Sequence, residues 1–74
     1  MEEQFLDTFK EALEIEEHDV DLQDKFKEYE EWDSLNRLNL IAMLDAEYDV
    51  QIPDEEFQKI ITIQQLIEFV KEHQ

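Results

Sequence analysis

Trp32-Asp33-Ser34-Leu35-Asn36-Arg37-Leu38-Asn39-Leu40-Ile41-Ala42-Met43-Leu44-Asp45-Ala46-Glu47-Tyr48 is the stretch whose reading decides the fold. From Ser34 onward its apolar residues recur at helical spacing, which predicts a helix from Ser34 to Tyr48. Leu38, Ile41, Leu44 and Tyr48 lie on one stripe, the expected core face. Leu35, Leu40, Ala42 and Met43 carry apolar surface well beyond that stripe, so the helix is either deeply buried or offers a docking surface. For Leu35 and Met43, core packing and partner contact both stand as readings. Ser34 lies where an acidic loop becomes this helix. A hydroxyl at such a tip is exposed, and the unpaired N–H groups and positive dipole end favour an attached phosphate. Asp-Ser is equally an ordinary helix start, with Ser34 as a plain N-cap.

Upstream, a second periodic segment is expected from about Glu2 to Glu16. Phe5, Phe9 and Leu13, with Leu6 and Ala12, form its apolar stripe, and carboxylates cover the rest. Between His18 and Asp33 the periodicity fails. This long acidic connector is punctuated by Val20, Leu22, Phe26, Tyr29 and Trp32. A structureless loop of that length needs a function or pins to the core. Phe26 and Val20 are the expected pins, with an irregular helical turn between them, and Trp32 is expected to pack the loop. Downstream, Ile52-Pro53 favours extended backbone. Asp54 is then the expected cap of a short helix reaching about Lys59, with Glu55 and Glu56 in its first turn. Thr62-Ile63-Gln64-Gln65 fits a capping box that launches the last helix, whose apolar face is Ile63, Leu66, Ile67 and Val70, extended by Phe69. Strand alternation and repeats are both lacking. The expectation is a single all-α domain over residues 1–74, a four-helix bundle of three longer helices and one short one, with a long first loop. Glycine is absent, so helix ends must be closed by Asn, by side chains or by tightened last turns.

Composition narrows the function. Seventy-four residues supply one modest core, and apolar residues at 42% argue against wholesale disorder despite 38% charged residues. Without cysteine there is no disulfide, thiolate metal site or Cys nucleophile. No apolar run approaches a membrane span, and Met1-Glu2-Glu3 is the opposite of a basic signal-peptide start, so the default location is the cytoplasm. Six Lys and Arg against 22 Asp and Glu leave a net charge of −16. Such a surface repels nucleic acid and anionic lipid and suits partners with basic docking patches. Asp19, Asp21 and Gln23 fall at positions 1, 3 and 5 of an EF-hand-like spacing, with Glu30 at position 12. Asp24 stands where the sharp turn wants glycine, and Lys25 and Lys27 intrude, so weak, diffuse divalent-cation binding is expected rather than a dedicated site. His18 and His73 lack triad or zinc spacing and are expected on the surface, with no metal ligands among them. A nucleophile–base pattern is also missing, so no catalytic residue is expected.

Asp33-Ser34-Leu35, followed by Tyr48-Asp49-Val50-Gln51-Ile52-Pro53-Asp54-Glu55-Glu56, then Lys59-Ile60 and Thr62 to Gln65, resembles the acyl carrier protein family across essentially the whole chain. Val20 and Phe26 stand at offsets from the serine similar to those of the family's loop anchors. The resemblance implies that Ser34 carries covalent 4′-phosphopantetheine donated by coenzyme A, flanked by Asp33 and Leu35, with Asp33 a recognition and orientation residue. The arm's thiol would hold acyl or aminoacyl groups as thioesters. Leu35, Leu38, Ala42 and Met43 would form an apolar docking platform ringed by Asp45, Glu47 and Asp49. An interior slot between helices could take a short acyl chain. The implied partners are a phosphopantetheinyl transferase and acyl- or aminoacyl-loading and acyl-transfer enzymes with basic patches, meeting a monomer. Glu31-Trp32 replaces the usual glycine-containing pair. Asn36, Asn39 and Ala46 stand where fatty-acid-synthesis carriers have carboxylates, and Arg37 is basic, which points toward a dedicated pathway. The alternative is an acidic helical interaction module without a prosthetic group, or a weak calcium binder.

Overall fold

Phe5 and Phe9 lie four residues apart on α1 (Glu2–Ala12) and are fully buried. The computed structural model describes residues 2–74; Met1, part of the expected domain and of the acidic start, lies outside them. α1 stops at Ala12 rather than near Glu16, because the chain turns left-handed at Glu14 (φ 55°). There the Ile15 N–H donates to the Lys10 carbonyl at 2.9 Å and the Glu14 N–H to the Glu11 carbonyl at 3.2 Å. This Schellman-type closure satisfies the last carbonyls of the helix, and Leu13 and Ile15 enter the core beyond its end.

The connector that follows is pinned by aromatic packing. Phe26 opens a 3₁₀ turn (Phe26–Glu28) and is fully buried, whereas Val20 is only half-buried. One hydrogen-bonded turn at residues 22–23, where the Asp24 N–H donates to the Asp21 carbonyl at 3.0 Å, lies between the two expected pins, and the 3₁₀ turn follows it from Phe26. Phe26 meets Phe9 at 5.7 Å and Trp32 at 5.2 Å, both edge-on, so Trp32 packs the loop as expected. Backbone bonds add a second tie. The Leu22 carbonyl accepts from the Gln64 N–H at 2.9 Å and the Asp24 carbonyl from the Ile63 N–H at 3.2 Å, so the connector closes the start of α4 (Ile63–His73). The capping box is present there: Thr62 Oγ1 accepts from the Gln65 N–H, and Gln65 Oε1 accepts from the Thr62 N–H.

α2 spans Ser34–Tyr48, as the periodicity predicts, but its buried face differs from the expected one. Leu40, Met43 and Leu44 are buried, Ile41 and Tyr48 are half-buried, and Leu38 is 60% exposed. Apolar residues nearly encircle this helix, so periodicity alone leaves its orientation open and the neighbouring elements decide it. α3 is short (Asp54–Lys59), and its N-cap is Pro53, with no side-chain cap; Asp54 is its first residue and pairs elsewhere. Glycine is replaced at left-handed positions by Glu14 and by Asp49 (φ 55°), which closes α2. Among the described residues the architecture is all-α, with four helices around sixteen buried apolar side chains and no buried polar or charged residue. No helix among them is long and apolar enough to cross a membrane.

Candidate functional site

The N-terminal tip of α2 is built by Asp33, not by Ser34. Asp33 has extended backbone (φ −152°, ψ −175°) and its carboxylate accepts from the Asn36 N–H at 2.8 Å. Its carbonyl accepts from the Arg37 N–H at 2.9 Å, the first intrahelical bond. The cap position is therefore taken, and Ser34 is the first helical residue. Its side chain is exposed, and its hydroxyl makes no hydrogen bond with any described residue. The plain N-cap reading of Ser34 does not apply. What remains is an unencumbered hydroxyl at the positive end of a fifteen-residue helix, a position that suits a phosphate ester on that oxygen.

Asn36 fastens this tip to the body. Its amide N donates to the Glu31 carbonyl at 2.7 Å and to the Leu13 carbonyl at 3.2 Å, while its Oδ1 accepts from Asn39 at 3.1 Å. The end of α1, the end of the connector and the start of α2 are thereby held together, so the hydroxyl sits on a rigid platform. In the sequence Asn36 and Asn39 stand out only as missing carboxylates. The signal that could have found this role is an amide one turn inside a helix start, able to bond two carbonyls at once.

The platform residues divide. Leu35 is 65% and Leu38 60% exposed, and Ala42 is exposed on the same side of α2. Asp45 joins Leu38, Ile41 and Ala42 around an open groove of about 320 Å³ that continues to Gln51 and Ile52. Met43 is 7% exposed and belongs to the core, because its helix face turns toward α1. Glu47 lies with Glu11 and Glu14 along the α1–α2 groove, apart from Asp45. The expected ring of acids around one platform is thus two separate acidic borders.

A cationic group flanks the other side of the tip. Arg37 pairs with Asp54 at 2.7 Å, joining α2 to α3, and lies 5.4 Å from the Phe57 ring. Lys27 lies 4.4 Å from the same ring and donates to the Phe57 carbonyl at 2.7 Å. Desolvation, with repulsion from Arg37, holds the Lys27 pKa below its ordinary value.

In the connector, His18 Nδ1 lies 2.8 Å from the Asp19 carbonyl and Nε2 3.1 Å from Glu31. The backbone contact, then the Glu31 hydrogen bond, raises the His18 pKa, and the same bond lowers that of Glu31. The EF-hand-like residues do not converge. Asp24 accepts from the Tyr29 hydroxyl at 2.6 Å and the Asp21 N–H, Asp19 pairs with Lys10, and no metal-holding group of three acidic, His or Cys residues forms among the described residues.

Two comparisons bear on this tip. A family model described as the phosphopantetheine attachment site matches residues 3–70. The solution structure of a holo acyl carrier protein from Geobacter metallireducens is similar in fold, with a TM-score of 0.81 and 21% identity over 96% of this chain and 82% of that one. With an uncommitted serine at the head of the second of four helices, the fold of an acyl carrier protein and a family match spanning nearly its whole length, the chain belongs to the phosphopantetheine-attachment-site family.

Proposed function

We propose that Ser34 is the attachment point of 4′-phosphopantetheine and that the chain presents acyl or aminoacyl groups to the enzymes of a dedicated cytoplasmic pathway. The observation that carries this is the exposed Ser34 hydroxyl, unbonded while its neighbour Asp33 performs the capping. Attachment forms a bond from Ser34 Oγ to phosphorus and breaks the pyrophosphate of coenzyme A, releasing the adenosine bisphosphate half. The hydroxyl proton passes to a base of the transferase, because Oγ makes no hydrogen bond to a described side chain that could take it. The arm's terminal thiol then supplies thioester chemistry that a cysteine-free chain lacks. Leu35, Leu38 and Ala42, bordered by Asp45, would give partner enzymes an apolar contact with one acidic edge. Glu47 would steer basic partners from the α1 side.

The dedicated-pathway reading rests on charge. The first turn of α2 has no acidic residue, and Asp45 is the first carboxylate along the helix. Recognition of this helix therefore depends on apolar contacts and on Arg37 more than on a row of carboxylates. Incubation of the folded protein with coenzyme A, Mg²⁺ and a broad-specificity phosphopantetheinyl transferase should add the mass of one arm. The gain should vanish in Ser34→Ala. Folded wild-type protein that gains no mass would instead support the acidic interaction module.

A further inference from the structure

Arg37 is the only basic residue on α2, in a chain where carboxylates outnumber Lys and Arg by 22 to six. It follows Ser34 by three residues and so stands beside it on the helix surface. Helical side chains lean toward the N-terminus, so a guanidinium that leaves Asp54 can reach the first turn. Its one hydrogen bond among the described side chains goes to a single Asp54 oxygen, although a guanidinium has five N–H donors. The Asp54 side chain is 76% exposed, and an ion pair so open to water is weakly held and easily exchanged. Glu31 and Asp33 precede the serine and would oppose an added negative charge there, and Arg37 is the one cationic side chain that α2 itself supplies.

The geometry points to Arg37 as the clasp for the phosphodiester on Ser34: loading the arm draws the guanidinium from Asp54 to the phosphate and weakens the tie between α2 and α3. This rests on Ser34 being the attachment point. A phosphate oxygen matches the guanidinium fork at least as well as the single Asp54 carboxylate oxygen that it engages in the structure. The repulsion between Arg37 and Lys27 across Phe57 would also be relieved by a nearby anion.

The experiment compares unloaded and loaded protein, wild type and Asp54→Asn, by the Arg37 Nε–Hε NMR resonance, with intact mass confirming the arm in each sample. Loading is expected to move the resonance in both proteins, and the two loaded forms should converge, because the partner is then the phosphate in each. The ³¹P resonance of the loaded Arg37→Gln protein should be displaced from that of wild type. A merely structural Arg37 would respond to Asp54→Asn but not to loading. An Nε–Hε resonance unmoved by loading in Asp54→Asn, or coincident ³¹P resonances in wild type and Arg37→Gln, would overturn the clasp while leaving the attachment site intact. Failure of wild type to gain mass would remove both.

Discussion

The starts of α2 and α4 solve the same chemical problem in opposite ways. At α4, the Thr62–Gln65 box and the Leu22 and Asp24 carbonyls engage the end from both sides, and the Gln23 side chain reaches Gln64 at 2.9 Å. At α2 one carboxylate, Asp33, caps the end, and the next residue is left with an unbonded hydroxyl facing solvent. The first arrangement anchors the connector and the last helix to each other. The second keeps the helix intact while reserving an oxygen for chemistry, and the Asn36 ties compensate for the thinner capping. A helix end with an idle polar group beside a complete cap is therefore a better pointer to function than the cap itself.

The largest expected effect comes from breaking the pin beneath the sealed end. Phe26→Ala removes a fully buried ring and should cost about 3–5 kcal/mol. Amide exchange at Ile63 and Gln64 should accelerate more than at Leu40 and Leu44, since the carbonyls closing α4 depend on the pinned loop; uniform acceleration would mean that the connector is not a separate support. Next, Thr62→Ala should cost about 1 kcal/mol in a urea titration. Ser34→Ala, at the other helix start, should shift stability by less than about 0.5 kcal/mol, because no bond is lost. Equal losses from the two substitutions would erase the contrast between the two helix starts.

The smallest effect is a pH dependence at His18 and Glu31. A raised His18 pKa contributes stability that is fully present below the unfolded value near 6.5 and is lost as pH rises through the folded value. A lowered Glu31 pKa contributes stability present above its unfolded value near 4.5 and lost as pH falls through the folded one. Both contributions are complete only between those two values. The melting temperature of wild type minus that of His18→Ala should therefore be greatest near pH 5.5 and decline on either side; a flat difference would show that this contact does no thermodynamic work.

Legibility followed locality. The Thr62 box is written in four consecutive residues, and the structure reproduces it. The extent of α2 was equally readable, since its apolar spacing persists for four turns. Its orientation was not, because Leu35, Leu38, Leu40, Met43 and Leu44 point in so many directions that only the packing of α1 and the connector selects a face. The early end of α1 was hidden because Glu14 adopts a left-handed conformation without being glycine. The bonds from Leu22 and Asp24 to α4 involve backbone carbonyls, which every residue has and no sequence pattern marks. At the site, Ser34 was legible by its place at the head of the helix. The division of labour with Asp33 was not, since both residue types cap helices equally well.

The left-handed turns at Glu14 and Asp49 have a consequence of their own. Each forces a β-carbon toward a neighbouring carbonyl oxygen, a steric strain that glycine would not feel. Because both side chains are exposed, the strain is independent of the core, and the domain retains untapped thermal resistance at two surface positions that can be altered without disturbing any interior packing.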